Sequence, residues 1–446
     1  MSPASNNKAI SGFSKLSKRG KIKWIVEHFF KDPESVMHEL MSYWHKNEDQ
    51  QKILDGFSEN TISNFPMPFS VAPNFLINGK TYCIPMVIEE SSVVAAASSA
   101  AKFWMNHGGF TSLVLSTLKL GQIHFYWNGS KEKLESILPE LTFLMKENAK
   151  SLLHSMEKRG GGVRHFELIQ INELEQYFQI RIGFETCDSM GANFINSCLE
   201  SFSHTLEHFI ESQSSWTLEE RDINILMSIL SNYTPECIVR VSATCPVDDF
   251  SEISDGMSAS EFAERFYRAI QIAKIDPYRA VTHNKGIFNG IDSVVIATGN
   301  DFRAIEACGH AYASRDGEYR SLSDCSIINN VFTFWLDIPL ALGTIGGLTE
   351  LHPIAKRSLE LLGNPSAEEL MQVTAATGLA QNFAAIKSLI TTGIQQGHMK
   401  MHLGNILNHL KASPKEINLA TAHFQNQKIS FTDVRLFIEQ MRSNHK

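Results

Sequence analysis

Between Leu118 and Asn232 the hydrophobic pattern switches period repeatedly, and the order it spells restricts the folds open to this chain more than any other feature. Gln122 to Trp127 alternates as a strand does, and a long helical pattern starts at Glu132. Strand-like runs follow near Val163 to Ile171 and Tyr177 to Phe184, then a helix from Ala192 and a strand from Ile223 to Leu230. That βαββαβ order is a split βαβ unit, complete as a small domain of roughly 110 residues, so the flanking segments must meet in a larger one. The expected fold is α+β: a large, mainly helical domain in two parts, 1–117 and 233–391, an inserted ferredoxin-like domain at 118–232, and a C-terminal helical flap at 392–446.

Within the flanks, Gly20 to Leu54 carries apolar residues at helical spacing (Ile25, Phe29, Val36, Leu40), and Pro66, Pro68 and Pro73 suggest loops before a first strand at Thr81 to Ile88. Alanine-rich Ser91 to Phe103, with serines at its start, predicts a buried helix. From Ser260 onward the pattern is mainly helical, with short strand-like runs at Ser293 to Ala297 and Val331 to Leu336, and the last 50 or so residues read as a charged helical tail.

A chain of 446 residues, 43% of them hydrophobic, needs more than one core. Its net charge of -8, without a basic block, argues against a nucleic acid partner. Seven scattered cysteines with no Cys-x-x-Cys pair suit reduced thiols in a cytoplasm. No signal-peptide core follows Met1, and the longest apolar stretch, Val331 to Leu348, is broken by Asp337, Pro339 and three glycines. No membrane anchor is expected.

The densest run of chemically useful side chains is Asp276 to Gly290. Arg279 can grip a carboxylate through two hydrogen bonds, and Lys285 and Asn289 stand one helical turn apart, where an ammonium can serve a developing oxyanion. A solvated lysine is the plainer reading. Ala297-Thr298-Gly299-Asn300-Asp301 suggests a strand end turning into a helix, with Asp301 either aimed inward or capping the helix. Glu89 and Glu90 follow an apolar strand, so one of them points away from the other.

These segments, with Glu59-Asn60-Thr61-Ile62, Pro85 to Glu90, Asp188-Ser189-Met190-Gly191-Ala192-Asn193 and Gly397-His398-Met399, resemble the 3-hydroxy-3-methylglutaryl-coenzyme A (HMG-CoA) reductase family, in order and over nearly the whole chain. Thr282-His283-Asn284-Lys285-Gly286 is similar to the shorter, membrane-free class II branch. The resemblance implies interconversion of HMG-CoA with mevalonate and coenzyme A by two hydride transfers from NAD(P)H. It implies catalytic roles for Glu90, Lys285, Asp301 and His398, and a hold on the acyl group by Ser92, Arg279 and Asn289. Lys285 would face the thioester oxygen, Glu90 would protonate the aldehyde oxygen, Asp301 would lie between them, and His398 would protonate the departing thiolate. Asp188, Met190, Gly191, Asn193 and Asn232, with Gly346 and Gly347 in a glycine-rich loop, would meet the dinucleotide. A homodimer or higher even oligomer with shared sites is implied, and no metal.

Three positions depart from the family pattern. Ser63 and Ser189 replace small residues, and Leu153 falls where NADH-using relatives tend to carry an aspartate, which with Lys150, Lys158 and Arg159 nearby tips the expectation toward NADPH.

Two rival readings stand beside this one. His204-Thr205-Leu206-Glu207-His208 spells an inverted zinc-protease motif on one helical face. A catalytically inactive coenzyme A or nucleotide-binding protein of the same fold is the other, against which the complete set Glu90, Lys285, Asp301 and His398 counts. His398 and His402, four apart, suggest no metal site because no third ligand is indicated.

Overall fold

A computed structural model describes residues 8–391, 403–404, 406–424 and 429–443. The chain opens with helices α1 (Lys18–Phe29), α2 (Pro33–Ser42) and α3 (Glu48–Asp55). Each starts where a side chain can take up an unpaired helical N–H: Ser17 accepts from Gly20, Asp32 from Ser35, and Asn47 from Asp49 and Gln50.

Pro66 and Pro68 lie in irregular chain as expected, but Pro73 does not. Strand β1 (Phe69–Ile77) pairs antiparallel with β2 (Lys80–Val87), and Pro73 is tolerated because the register breaks between Ala72 and Phe75, so no ladder hydrogen bond is asked of it. Helix α4 (Val93–Asn106) follows, starting after Ser92 as predicted, although Ser92 is left-handed (φ 75°) and its side chain does not cap the helix. Strand β3 (Thr111–Val114) then joins a larger sheet.

Next come β4 (Lys119–Trp127), α5 (Lys131–Asn148), α6 (Lys150–Glu157), β5 (Gly162–Gln170), β6 (Tyr177–Glu185), α7 (Ala192–Glu211) and β7 (Ile223–Ser231). The strands form one antiparallel sheet in the order β5-β6-β4-β7, in which burial alternates along most of β4 and is nearly continuous along β6. Their core draws on Ile123, Phe125, Phe178, Phe184, Phe202 and Leu206, and is separate from the main one.

The main core lies under β8 (Ile238–Pro246), α8 (Ala259–Ile275), α9 (Pro277–Ala297), α10 (Phe302–Ala313), β9 (Ser323–Ile328), β10 (Val331–Pro339), α11 (Leu348–Leu351), α12 (Pro353–Leu361) and α13 (Ala367–Ile390). Here a second antiparallel sheet runs β3-β8-β10-β9, so this part holds more strand than the periodicity suggested. Ser293 to Ala297 is not a strand but the last turn of α9. Ser293, Val294, Val295 and Ala297 are buried there, and packing overrides the β preference of the branched residues. Helix α13 is apolar almost all round because it is central, buried from Thr374 through Phe383. It crosses α9 at a glycine contact: a Cβ on Gly290 would lie 2.7 Å from the Thr377 carbonyl oxygen, and one on Gly378 2.8 Å from Ile291. That close approach sets the two helices that carry the site.

Beyond residue 402, Pro414–His423 and Phe431–Ser443 are helices around a small core of their own, with Leu407, Phe424 and Ile438. All seven cysteines are free. Among the described residues no helix is long and apolar enough to cross a membrane.

Candidate active site

Two clefts meet the residues singled out above. The first, of about 290 Å³, lies between the loop after β2, the start of α4, α9 and α13, and collects Glu90, Ser92, Arg279, Lys285 and Asn289. Helix α9 begins at Pro277 with the Asp276 side chain accepting from the Tyr278 N–H, which places Arg279, Thr282, Lys285, Gly286 and Asn289 along one wall. Glu89 is exposed and Glu90 turns the other way, accepting a hydrogen bond from Lys285 Nζ at 2.5 Å. Arg279 is half-buried with no ion pair among the described residues, and burial pulls its pKa below the usual arginine range. A guanidinium left uncompensated at a cleft wall is poised for an anion.

Part of this wall carries no mark in the sequence. Gln381, Asn382, Ser388 and Leu389 of α13 line the cleft, and in an almost uniformly buried helix nothing marks them in sequence. His283 supports it from below: its Nε2 lies 2.7 Å from Ser323 Oγ, which donates to Asn382 Oδ1 at 2.8 Å, so Nε2 carries the proton. The ring is buried and its Nδ1 has no partner. Burial, then the nearby Arg279 charge, brings its pKa down to about 3.

The second cleft, about 690 Å³, is built from the loop before α7, the turn between α9 and α10, and the glycine-rich loop after β10. Met190, Gly191, Asn193, Gly346 and Gly347 line it. No side chain caps α7, so its first N–H groups remain available to an anion. The two loops touch closely, since a Cβ on Gly343 would fall 2.4 Å from the Met190 nitrogen.

Asp301 sits in this second cleft and not beside Lys285. The turn that holds it joins two helices, where a strand end was expected, because α9 runs unbroken to Ala297. Its carboxylate caps α10, accepting from the N–H groups of Arg303 and Ala304, and pairs with the Arg303 guanidinium at 3.0 Å. Burial would raise its pKa, but Arg303 and the two backbone donors outweigh that and hold it below the usual carboxylate range. Lys285 and Ala297 lie twelve residues apart on α9, about 18 Å at 1.5 Å per residue, with Asp301 beyond.

Three further expectations move. Asp188 does not line the cleft; its Oδ1 accepts the Ala367 N–H at 2.7 Å, clamping the loop to the start of α13. Asn232 stands at a narrow pocket of about 20 Å³ behind the cleft, which shares Met190 and Ala192 with it. Leu153 is 2% exposed and packed in the small core, so it cannot face a ribose. Its helical pattern allowed either face, and burial chose the inner one. Of the other departures, Ser63 donates to the Leu40 carbonyl at 2.6 Å and Ser189 to that of Thr186 at 2.9 Å, uses that a side chain without a hydroxyl would not offer.

His398 and His402 lie outside the described residues. His204 and His208 are on α7, where His208 approaches Glu211 at 3.6 Å, and no group of three or more His, Cys, Asp or Glu among the described residues is arranged for a metal.

A lysine–carboxylate pair and a free guanidinium in one cleft, beside a glycine-rich cradle in another, define an enzyme of acyl or carbonyl chemistry with room for a phosphate-bearing cofactor. The family model described as hydroxymethylglutaryl-coenzyme A reductase matches residues 22–403, and the chain belongs to that family. It is 35% identical over 441 residues to the 3-hydroxy-3-methylglutaryl-coenzyme A reductase of Archaeoglobus fulgidus, covering 97% of this chain and 95% of that one. A probable reductase of Borreliella burgdorferi is also 35% identical, over 89% of this chain and 86% of its own. Among solved structures, the class II reductase of Streptococcus pneumoniae, bound to NADPH in open conformations, is similar with a TM-score of 0.70 and 37% identity, over 92% of this chain and all of that one.

Proposed function

We propose that this chain reduces HMG-CoA to mevalonate and coenzyme A with two equivalents of reduced nicotinamide, the first cleft holding the acyl group and the second the dinucleotide. The observation that carries this reading is the Lys285–Glu90 pair at 2.5 Å in the same cleft as the unpaired Arg279. Arg279 takes the terminal carboxylate of the acyl group, with Ser92 and Asn289 at its polar groups. The Lys285 ammonium donates to the thioester oxygen, which gains negative charge at each reductive attack. Glu90, hydrogen-bonded to that lysine, supplies a proton to the aldehyde oxygen formed midway. His398, outside the described residues, protonates the coenzyme A thiolate, since an unperturbed imidazole titrates near neutrality.

The residues of the second cleft fit a dinucleotide. Gly346 and Gly347 leave open space where side chains would stand, and the uncapped start of α7 suits a phosphate. When bound, the nicotinamide supplies the two hydrides. NADPH is favoured over NADH because the similar Streptococcus structure holds NADPH.

The distance between Lys285 and Asp301 supports a two-fold dimer in which Asp301 and the second cleft of one copy complete the first cleft of the other. The strongly exposed Ile275 (82%) and Tyr278 (90%), flanking Arg279, suit burial by such a partner. In the domain division proposed above, 118–232 supplies the start of α7 and the loop before it to the cofactor cleft, 233–391 supplies the rest of that cleft, and 1–117 with 233–391 carries the substrate cleft. The function is tested by following reduced nicotinamide with and without HMG-CoA. Oxidation of NADPH that depends on HMG-CoA and yields mevalonate is expected, and its absence would remove the reading in favour of an inactive relative.

A further inference from the structure

We propose that Arg303 is a latch on Asp301 released by cofactor binding: its guanidinium turns from the carboxylate to a phosphate of the dinucleotide, and the freed carboxylate oxygen passes to the partner subunit's Lys285. This rests on the reductase reading above. Asp301 and Arg303 are, among the described residues, the only charged side chains lining the second cleft. Side by side they leave that wall close to neutral. Glu350, outside the lining, accepts the Gly346 N–H at 3.2 Å and adds a negative charge beside the glycine-rich loop. A phosphate entering here therefore meets one cation, and that cation is already engaged.

The two oxygens of the Asp301 carboxylate are held differently. Oδ1 accepts the backbone N–H groups of Arg303 at 3.1 Å and Ala304 at 3.4 Å together with Arg303 Nε at 3.0 Å. Among the described residues Oδ2 accepts only from Arg303 Nη2, at 3.0 Å. Withdrawing the guanidinium leaves Oδ1 in place as the cap of α10 and Oδ2 open to a new donor. Separation costs little, because the Arg303 side chain is 77% exposed and an ion pair so open to water adds little net stability. A phosphate offers the same guanidinium an equally good two-point grip, so binding exchanges one partner for another. Burial raises the Asp301 pKa, and the Arg303 hydrogen bond is the foremost cause opposing it. Its departure lets the carboxyl rise toward the range in which it can exchange a proton with the Lys285–Glu90 pair. The consequence is an order of events: the aspartate is presented to the substrate cleft only when the hydride donor is in place.

The test is a binding cycle with NADPH as the probe and HMG-CoA left out, so that no turnover intervenes. Arg303→Met keeps an apolar stem, removes the charge, and is expected to raise the NADPH Kd about ten- to a hundredfold, the worth of a hydrogen bond to a charged group. Arg303→Lys is expected to recover part of the affinity, and added salt should weaken NADPH binding more in the wild type than in Arg303→Met. Asp301→Asn removes the competing carboxylate. It is expected to tighten NADPH binding severalfold in the wild type and by less in the Arg303→Met background. A carboxylate that only repels phosphate through space gives at least as large a gain in that background, so the cycle separates the two. HMG-CoA affinity, measured on the same preparations, should stay at its wild-type value because the acyl group lies in the first cleft. An unchanged NADPH Kd in Arg303→Met, or an Asp301→Asn gain undiminished in that background, overturns the latch while leaving the reductase reading intact. Wild-type protein that neither binds NADPH nor reduces HMG-CoA overturns both.

Discussion

Mixing two inactive variants tests whether the site is shared between copies. Lys285→Ala removes the oxyanion donor and Asp301→Ala the carboxylate that α9 holds about 18 Å or more away along its axis. Losing one such donor costs roughly 2.7 to 4 kcal/mol, so Lys285→Ala should retain about 1% of wild-type turnover or less. Suppose each site takes Lys285 from one chain and Asp301 from its partner. A heterodimer of the two variants then has one site with both residues missing and one with both present. In purified heterodimers one site of the two is intact, so about half of wild-type activity per chain returns. That is far above the parental background. The assay is HMG-CoA-dependent NADPH oxidation on differently tagged variants after co-expression, with heterodimers purified through both tags. Heterodimers no more active than either parent would refute the shared site, and near-normal turnover by Asp301→Ala alone would remove that residue from the chemistry.

Arg279→Ala should raise KM for HMG-CoA about ten- to a hundredfold, with only partial rescue by Arg279→Lys because one ammonium cannot reproduce a two-point grip; an unchanged KM would take the carboxylate elsewhere. Leu153→Asp should cost at least about 3 kcal/mol of stability, since it removes core packing and buries a carboxylate, and should not switch the cofactor. A variant of wild-type denaturant midpoint with preference shifted to NADH would overturn that. His283 gives a pH dependence: its folded pKa of about 3 lies below the ordinary 6.5, so its contribution is complete above pH 6.5 and is lost as pH falls toward 3, on the order of 2 kcal/mol by pH 5. His283→Gln should therefore lose less stability than wild type between pH 7 and pH 5 in urea titrations, and parallel losses would show that other groups govern acid sensitivity.

Much of the substrate cleft was legible in the chain itself. Arg279, Lys285 and Asn289 lie on one helix with a cap, a proline and a four-residue spacing, and local geometry alone then puts two of them on one face. Glu89 and Glu90 do part company, one exposed and one facing Lys285, but in the bend after β2 ends at Val87, so strand alternation did not decide it. Residues beyond one element were not determined this way. Leu153 and Asp188 were read as facing a cofactor, but one packs into a core and the other clamps a helix start, because helix rotation and loop docking depend on partners distant in sequence. Pro73 in a strand and Val294 in a helix show the same limit, local preference yielding to a bulge and to burial. Asp301 is the sharpest case: its motif follows Lys285 closely in sequence, yet α9 runs unbroken between them, and a helix of that length keeps its two ends in different clefts. Sequence settled which groups the chain carries and which neighbours share a helix face. Only tertiary structure decided which of them meet, because that depends on the crossing of α9 and α13 at Gly290 and Gly378 and on the length of the helix between the clefts.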